Sequence, residues 1–456
     1  MERLFKLKEH GTNVKTEIIA GITTFLAMAY ILAVNPSILS AAGMDSGAVF
    51  TATALSAAFA TLIMGLYANY PIALASGMGL NAYFAYVCVQ MAESGINDPW
   101  KIALTAILCE GVIFIILSLF KFRESLVNNV PSNLKYGITA GIGLFITIIG
   151  LKNANIVIGN DSTFVDLGKV ASPQFALAFI GIIAIGIMWH FKIKGAILWG
   201  IIGTWVLGMI AQLIGWYQVN TDIGNFSLFP TFEGVKSLLP PTIAQTFFQF
   251  DFVHIGQNIT QFLVIVFSFL FVDLFDTVGT LIGVADQGNL LDEDGKLPKV
   301  GRALMSDAIG TVAGACLGTS TVTSYVESSA GVAVGGKTGL TAVTTAVMFI
   351  LALFFAPIFL AIPAFATAPA LIFVGLLMMG AILKMKFTGD MADVISGFIA
   401  VTFMPFTSSI ANGIMFGILS WVIIKVFIGK IKDIHPVMWI AFGLFAVRII
   451  TLIFGI

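Results

Sequence analysis

Long runs of apolar residues, separated by short polar segments, dominate this sequence from end to end. Runs of this kind have the length that a helix needs to cross a bilayer. We predict fourteen membrane spans, at residues 17–34, 49–68, 71–91, 102–120, 131–151, 173–190, 195–214, 261–284, 303–317, 319–335, 340–362, 369–383, 391–405 and 408–427. Arg448 interrupts a further apolar segment, 437–456, and the pattern leaves open whether this segment crosses the membrane or lies along its surface.

Composition agrees with this pattern. Of the 456 residues 58% are hydrophobic and only 10% are charged, whereas about a quarter of the residues in a soluble domain carry a charge. The sequence therefore predicts an all-α polytopic protein of the lipid bilayer. A net charge of −1 provides no basic surface for phosphates, which argues against nucleic acid as a partner.

The positions of lysine and arginine predict the orientation. Basic residues such as Lys8, Lys192, Lys386 and Lys430 all fall on one side of the fourteen-span arrangement, and the alternate loops are poor in them. Positively charged short loops stay in the cytoplasm. We therefore expect a cytoplasmic N-terminus in a multi-pass protein of the cell membrane, of the bacterial inner-membrane type.

The two halves of the sequence resemble each other weakly. A single offset aligns Phe25 with Phe275 and Ser56 with Ser306, which lie in two different pairs of spans. Each unit then contains seven spans, and the odd number forces the second unit to insert upside down. Such 7+7 inverted repeats are typical of secondary transporters, with the substrate site near the bilayer midplane.

The third and tenth spans differ from ordinary membrane helices. Each begins with residues that favour extended chain and then passes through small polar residues into a helical pattern. We predict two discontinuous spans whose helices begin within the membrane, so that their unpaired N–H groups point into a cavity. Asn81 and Glu327 lie near these breaks, where an amide and a carboxyl group would hydrogen-bond an uncharged heterocycle.

Three further acids lie inside predicted spans. Asp273 and Asp276 are three residues apart in the eighth span, and Asp307 lies in the ninth. An acid at the centre of a membrane helix costs about 2.5–3.5 kcal/mol, so such acids usually mark a substrate, ion or proton path. A hydrogen bond that only joins two helices is the alternative, and for Asp307 the sequence does not choose between the two.

Other motifs have simpler explanations. Residues 331–338 match the G-x-x-x-x-G-K-T pattern of phosphate-binding loops, but that loop requires a strand before it and a helix after it in a soluble α/β unit. The spans contain neither a nucleophile with an adjacent base nor a metal-ligand cluster. We therefore predict that the protein is not an enzyme and requires no metal or cofactor.

Four segments together resemble a known family. They read ITTFLAMAYILAVNP (22–36), SGMGLNAYF (76–84), FVDLFDTVGT (271–280) and GTSTVTSYVESSAG (318–331). In these motifs the chain resembles the nucleobase–cation symporters of the AzgA-like branch, the hypoxanthine, guanine and adenine permeases. The resemblance extends from about residue 16 to residue 430.

The resemblance implies a core domain that moves against a gate domain in elevator fashion, commonly within a homodimer. The corresponding segments are 1–16, the cytoplasmic N-terminus; 17–120 and 261–362, the core; 131–214 and 369–428, the gate; 215–260, a connection; and 429–456, a C-terminal segment.

The resemblance also implies roles for individual residues. Asn81, Asp273, Asp276 and Glu327 occupy the positions of the family's substrate and proton residues. Tyr325 and Phe84 are candidates for stacking on the substrate ring, with core packing as the alternative. Proton coupling is assigned to Asp273, Asp276 and Glu327 from this resemblance, and Asp307 is added because it lies inside a predicted span.

These observations lead to the hypothesis of proton-coupled purine uptake. Low-dielectric surroundings favour the protonated form of a carboxyl group, which lets an intramembrane acid carry a proton. Glu327 would bind the ring nitrogens of the purine and Asn81 would contact its edge, whereas the roles of Asp273 and Asp276 stay undivided. An anion exchanger of the same architecture and a passive pore are the alternatives. The preferred base and the choice between proton and sodium also stay open.

Overall fold

The computed structural model describes residues 2–119, 130–160, 162–219, 226–230, 239–253, 255, 259–288, 290 and 297–454. Its first half contains the helices α1 Glu2–Phe5, α2 Val14–Met28, α3 Ile31–Ser40, α4 Ser46–Ile63, α5 Met78–Glu93, α6 Pro99–Leu119, α7 Ser132–Asn153, α8 Pro173–His190 and α9 Ala196–Leu213. Its second half contains α10 Ile259–Gln287, α11 Val300–Leu317, α12 Ser328–Ala333, α13 Gly339–Ala352, α14 Ala356–Leu360, α15 Ala364–Met379, α16 Met391–Phe406, α17 Ile410–Phe427 and α18 Pro436–Phe454.

Nine helical segments of the described chain are long and apolar enough to cross a membrane. They coincide with nine of the fourteen predicted spans, and the protein is therefore a mostly helical, polytopic membrane protein. Of the other five predicted spans, the third and tenth correspond to strand–helix segments, the eighth and thirteenth contain the shorter apolar stretches Gln261–Leu274 and Met391–Phe406, and the ninth corresponds to α11. The total of fourteen stays a prediction.

Four strands accompany the helices. β1 (Leu74–Ser76) and β4 (Val322–Ser324) lie in the third and tenth predicted spans and pair antiparallel, with Ala75 opposite Thr323. β2 (Val157–Asn160) and β3 (Phe164–Leu167) form a hairpin. The sequence suggested only a polar loop at this hairpin, because its strands are short and largely exposed and bury no regular apolar face.

The helices form two packed regions, and one of them contacts the β1–β4 pair. α4, α10 and α11 contact the strands, and α6 packs against α10 and α11. In the other region α7 packs against α15 and α16, where small residues allow the helices to approach closely. A Cβ atom added at Gly137 would lie 2.5 Å from the carbonyl oxygen of Gly397. The polar side chains described next lie at the β1–β4 pair and on the helices around it.

Candidate functional site

The β1–β4 pair brings two distant parts of the chain together in the protein interior. Every residue of both strands is buried. The ladder continues beyond the strands, since the Gly77 N–H donates to the Thr321 carbonyl at 2.9 Å and the Tyr325 N–H donates to the Ala73 carbonyl at 3.0 Å. Extended chain in an apolar environment must pair its backbone groups. Each strand supplies that pairing for the other.

The segments 73–77 and 320–325, which contain the paired residues, are called the crossing below. Asn81, in the first turn of α5, joins these two segments. Its Oδ1 accepts hydrogen bonds from the hydroxyls of Ser76, at 2.9 Å, and Ser320. Its Nδ2 donates to the Ser76 carbonyl at 3.4 Å, and the side chain is fully buried. Asn81 therefore holds the start of α5 against both segments.

A chain of hydroxyl and amide groups continues from this point to α3 and α4. The Thr319 Oγ1 lies 3.1 Å from the Ser76 hydroxyl and accepts a hydrogen bond from Asn35 at 2.9 Å. The Asn35 amide also donates to Thr53 at 2.7 Å. These contacts fix the crossing against the helices that surround it.

Glu327 immediately precedes α12 and is hydrogen-bonded to Tyr30. The Tyr30 hydroxyl donates to Glu327 Oε1 at 2.5 Å, and Tyr30 is fully buried whereas Glu327 retains 8% exposure. The Tyr325 hydroxyl donates to the Ser76 carbonyl at 2.5 Å, which places this ring at the crossing. The acid and both phenols thus lie in one small region.

The two acids of α10 lie in different surroundings. Asp276 is partly exposed and within electrostatic range of Glu327 and Asp307. Asp273 is fully buried and contacts the Thr277 hydroxyl at 3.1 Å. The two acids looked equivalent in sequence, but their surroundings differ. Asp276 is partly exposed and within electrostatic range of Glu327, whereas Asp273 is fully buried against Thr277.

Thr277 connects Asp273 to two further elements. Its Oγ1 lies 2.9 Å from Asp307 Oδ1 on α11 and 2.7 Å from the Thr323 hydroxyl on β4. Asp307 is fully buried and Thr323 retains only 1% exposure. The structure thus brings Asp273 and Asp307 together through one hydroxyl group.

Phe84 lies farther along α5 and is fully buried within the large apolar core cluster. Its neighbour Tyr83 packs edge-on against Phe269, with ring centroids 4.9 Å apart. Phe84 therefore occupies a packing position in this conformation, and its stacking on a substrate stays a prediction.

The polar residues of this region that sequence reasoning missed include Tyr30, Glu110 and Thr277. Glu110 on α6 is fully buried, and its Oε2 accepts a hydrogen bond from the Thr321 hydroxyl at 3.1 Å. Glu110 lies inside the fourth predicted span, so the rule that singled out Asp273 would also have found it. No comparable local signal exists for Tyr30 or Thr277, because aromatic and hydroxyl residues are common in membrane helices.

The segment that resembles a phosphate loop binds a carboxylate of its own chain. Glu17 is fully buried and accepts backbone hydrogen bonds from Lys337 at 3.0 Å and Thr341 at 3.2 Å, and the Thr341 hydroxyl donates to it at 2.6 Å. Negative charge is favourable at a helix N-terminus. The carboxylate therefore anchors α2 to the start of α13.

A cavity of about 480 Å³ opens at the connection between α5 and α6. Its lining includes Cys88, Glu93, Asp98 and Trp100 and none of the predicted site residues. We therefore assign the candidate site from the polar residues at the crossing. Within the described residues, no group of three His, Cys, Asp or Glu side chains is arranged to hold a metal ion.

Comparison with known proteins gives a family match and near full-length relatives. The sequence profile of the family described as "Permease family" matches residues 15–416. The guanine/hypoxanthine permease PbuO of Bacillus subtilis (strain 168) is 44% identical over 452 residues, which cover 98% of this chain and 100% of that protein. The adenine permease AdeP of Escherichia coli (strain K12) is 41% identical over 450 residues, covering 99% of this chain and 96% of that protein.

A solved structure shares the fold at low sequence identity. The transmembrane domain of the cyanobacterial bicarbonate transporter BicA superposes with a TM-score of 0.63 at 15% identity, covering 88% of this chain and 97% of that domain. This likeness concerns the fold alone. From the profile match and the two near full-length relatives, the chain belongs to the permease family and groups with the adenine and guanine/hypoxanthine permeases.

Proposed function

We propose that this protein imports purine nucleobases in symport with protons. The observation that supports the proposal is the polar crossing, where Tyr30 donates to Glu327, Asp276 lies within electrostatic range of Glu327, and Asn81 is hydrogen-bonded to both paired segments. A purine is flat, uncharged and rich in ring nitrogens that donate or accept hydrogen bonds. Carboxyl, amide and phenol groups complement such a ring, and the bases for which the two relatives are named, adenine and guanine/hypoxanthine, belong to this chemical class.

Glu327 is the group we assign to the purine ring. Its Oε1 accepts a hydrogen bond from the Tyr30 hydroxyl. This bond fixes Oε1 and therefore also the direction in which Oε2 points. Asp276 lies within electrostatic range of it and would contact the substrate from α10. Asn81 would contact the edge of the purine from a fixed position. Tyr325 and Phe84 are the candidates for stacking on the purine ring.

The membrane arrangement follows from the same proposal. The strand–helix segments β1–α5 and β4–α12 would be the discontinuous third and tenth of fourteen spans, arranged as two inverted units of seven. The core would comprise 17–120 and 261–362, and the gate 131–214 and 369–428. The core would carry the site past the gate in an elevator movement within a homodimer.

The orientation belongs to the proposal as well. The basic loops would face the cytoplasm, which places the N-terminal residues 1–16 inside the cell and the protein in the cell membrane. Segment 215–260 would connect the two halves, and 429–456 would be a C-terminal segment. An intramembrane acid would then receive its proton at the outer face and release it at the inner face.

The fold likeness to a bicarbonate transporter makes anion exchange the second candidate. An anion site in this fold would present basic or neutral donors at the helix starts. Here Glu327, Asp276, Asp273 and Asp307 surround the crossing, and they would repel an anion. Purine transport therefore agrees better with the charges at the site.

The substitution Glu327→Gln tests the purine assignment. The glutamine keeps an oxygen for the Tyr30 hydroxyl but cannot ionise, so we expect severe loss of radiolabelled hypoxanthine uptake at an unchanged membrane level. Competition by adenine, guanine, xanthine and uracil defines the substrate class, and an uncoupler distinguishes proton-driven accumulation from passive entry. Glu9→Gln, at an exposed acid with a surface ion pair, is the matched control. Normal uptake by the Glu327→Gln protein would remove Glu327 from the mechanism.

A further inference from the structure

One hydroxyl group lies between two buried carboxyl groups on neighbouring helices. Thr277 Oγ1 is 3.1 Å from Asp273 Oδ1 and 2.9 Å from Asp307 Oδ1, and the Thr323 hydroxyl lies 2.7 Å away. Asp273, Thr277 and Asp307 are fully buried, and Thr323 retains 1% exposure. We call these four residues the Thr277 cluster.

The number of protons that can be donated in hydrogen bonds limits which protonation states the cluster can adopt. A threonine hydroxyl has one proton to donate and two lone pairs that accept. If both aspartates were ionised, Thr277 could donate fully to only one of them, and the other carboxylate would face its lone pairs. One additional proton removes the conflict: a protonated aspartate donates to Thr277 Oγ1, and Thr277 donates to the ionised one. The Thr323 hydroxyl then donates to the second lone pair.

The surrounding charges favour the same arrangement. The described acids on the elements packed around the cluster are Asp276 on α10, Glu93 on α5, Glu110 on α6 and Glu327 after β4, and the described cations there are Lys101 on α6, Lys135 and Lys152 on α7, Arg302 on α11, Lys425 on α17 and Arg448 on α18. The other titratable groups there are Tyr83, Tyr86 and Cys88 on α5, Cys109 on α6, Tyr136 on α7, Cys316 on α11 and Tyr325 after β4. Lys101 pairs with Asp98, Lys425 pairs with Asp390, and Arg302 lies over the Tyr67 ring. Asp276 lies within electrostatic range of Asp307, and like charges favour the protonated form of a carboxyl group.

We infer that Asp273, Thr277 and Asp307 form a proton-binding site that holds the coupling proton, separate from the groups that bind the purine. This inference rests on the proposed function and divides its roles: Glu327, Asp276 and Asn81 bind the base, and the Thr277 cluster binds the proton. Thr277 is a positioning residue that lets the two carboxyl groups share one proton.

The cluster also provides a physical link to the purine site. Thr323 belongs to β4, lies opposite Ala75 in the strand pair and is four residues before Glu327. Loss of the proton would leave two carboxylates beside one hydroxyl, and their repulsion would act on α10, α11 and β4 together. Binding of the proton and binding of the purine thus stabilise the same arrangement of the crossing.

The test measures proton and purine binding separately in the purified full-length protein. Hypoxanthine affinity is measured across a pH series, and proton uptake on hypoxanthine binding is followed with a pH dye in weak buffer. In the wild type we expect affinity to weaken as pH rises, by a coupling factor of about 5–150, with protons taken up on binding. Thr277→Val should still bind hypoxanthine but lose both the pH dependence and the proton uptake.

Two further variants complete the test. Thr277→Ser retains the hydroxyl and should restore both signals. Thr345→Val removes a buried hydroxyl that donates to the carbonyls of Gly21 and Thr341, and should leave both signals unchanged. Wild-type pH dependence and proton uptake in Thr277→Val would overturn the inference while leaving purine transport intact. A wild-type protein that neither binds nor accumulates any purine would instead overturn the proposed function.

If Thr277→Val does not fold, Asp273→Asn and Asp307→Asn provide the same test. Each amide can donate to Thr277 in place of the protonated carboxyl group, so each single variant should lose proton uptake and the double variant should lose no more. Proton uptake that persists in both single variants would place the proton elsewhere.

Discussion

The two strand–helix segments at the crossing are similar in plan but different in how they are held. β1 leads into the sixteen-residue helix α5, and β4 leads into α12, which has only six residues. Asn81, at the start of α5, is fully buried and hydrogen-bonded to both segments. Glu327, before α12, retains some exposure and is hydrogen-bonded to Tyr30. The first segment is therefore held by a fully buried amide, whereas the second presents an acid that retains some exposure.

Glycine packing sharpens this difference. A Cβ atom added at Gly331 on α12 would lie 2.0 Å from Thr24 Oγ1 and 2.7 Å from the Ala20 carbonyl oxygen. A Cβ atom at Gly79 on α5 would lie 2.6 Å from Ile142 Cγ2, a side-chain atom, with no backbone atom among its near contacts. The short helix thus contacts the backbone of α2, whereas α5 contacts a side chain of α7.

The largest expected effect follows from this contrast. Gly331→Ala forces α12 away from α2 and displaces Glu327, so we expect loss of hypoxanthine uptake and destabilisation by about 3 kcal/mol, the upper part of the range for overpacking. Gly79→Ala, the matched variant on the first segment, should cost about 1 kcal/mol and retain uptake. Thermal unfolding in detergent and uptake in cells measure the two quantities. Equal effects at both glycines would contradict the distinction between the segments.

A smaller effect is expected at Asn81. Asn81→Ala removes the shared acceptor of the Ser76 and Ser320 hydroxyls, which still lie 3.0 Å from each other. We expect destabilisation by about 2 kcal/mol together with reduced uptake. Glu327→Gln should change thermal stability by less than about 0.5 kcal/mol, because Tyr30 keeps an acceptor. If Glu327→Gln unfolds as readily as Asn81→Ala, the two segments do not differ in how firmly they are held.

The smallest effect on transport is expected far from the crossing, at the N-cap of α16. The pKa of the Asp390 carboxyl group lies well below its ordinary value because Lys425 and Lys430 donate hydrogen bonds to it, at 2.7 Å and 3.0 Å. A lowered pKa stabilises the fold at neutral pH, and that contribution disappears as pH falls from about 4, the ordinary value, through the lowered pKa. Asparagine retains the cap.

We therefore expect Asp390→Asn to reduce stability by about 1.5 kcal/mol at pH 7 without changing uptake. The difference from the wild type should shrink in thermal unfolding experiments as the solution is acidified below about pH 4. Asp433→Asn, at an exposed acid, serves as the control and should show no such trend. If the difference between Asp390→Asn and the wild type grew as the solution was acidified, the sign predicted for the Asp390 contribution would be wrong.

Local patterns predicted part of the site. The small polar residues after Ser76 and before Glu327 indicated extended chain followed by helix, and the structure has β1 and β4 there. Apolar run lengths identified nine spans, because hydropathy is a property of each segment by itself. The same pattern did not separate Asp273 from Asp276, since helical spacing places both on one side of α10 and only the neighbouring elements distinguish their surroundings.

Composition and motifs were sufficient to identify a polytopic membrane protein of the permease family, because both are properties of individual segments of the chain. Which polar groups contact each other depends on the packing of distant segments. Tyr30 and Glu327 are 297 positions apart, and Thr277 and Asp307 lie on different helices. Hydrogen bonds act over about 3 Å, so partners that are distant in sequence become identifiable only when the strands and helices are packed.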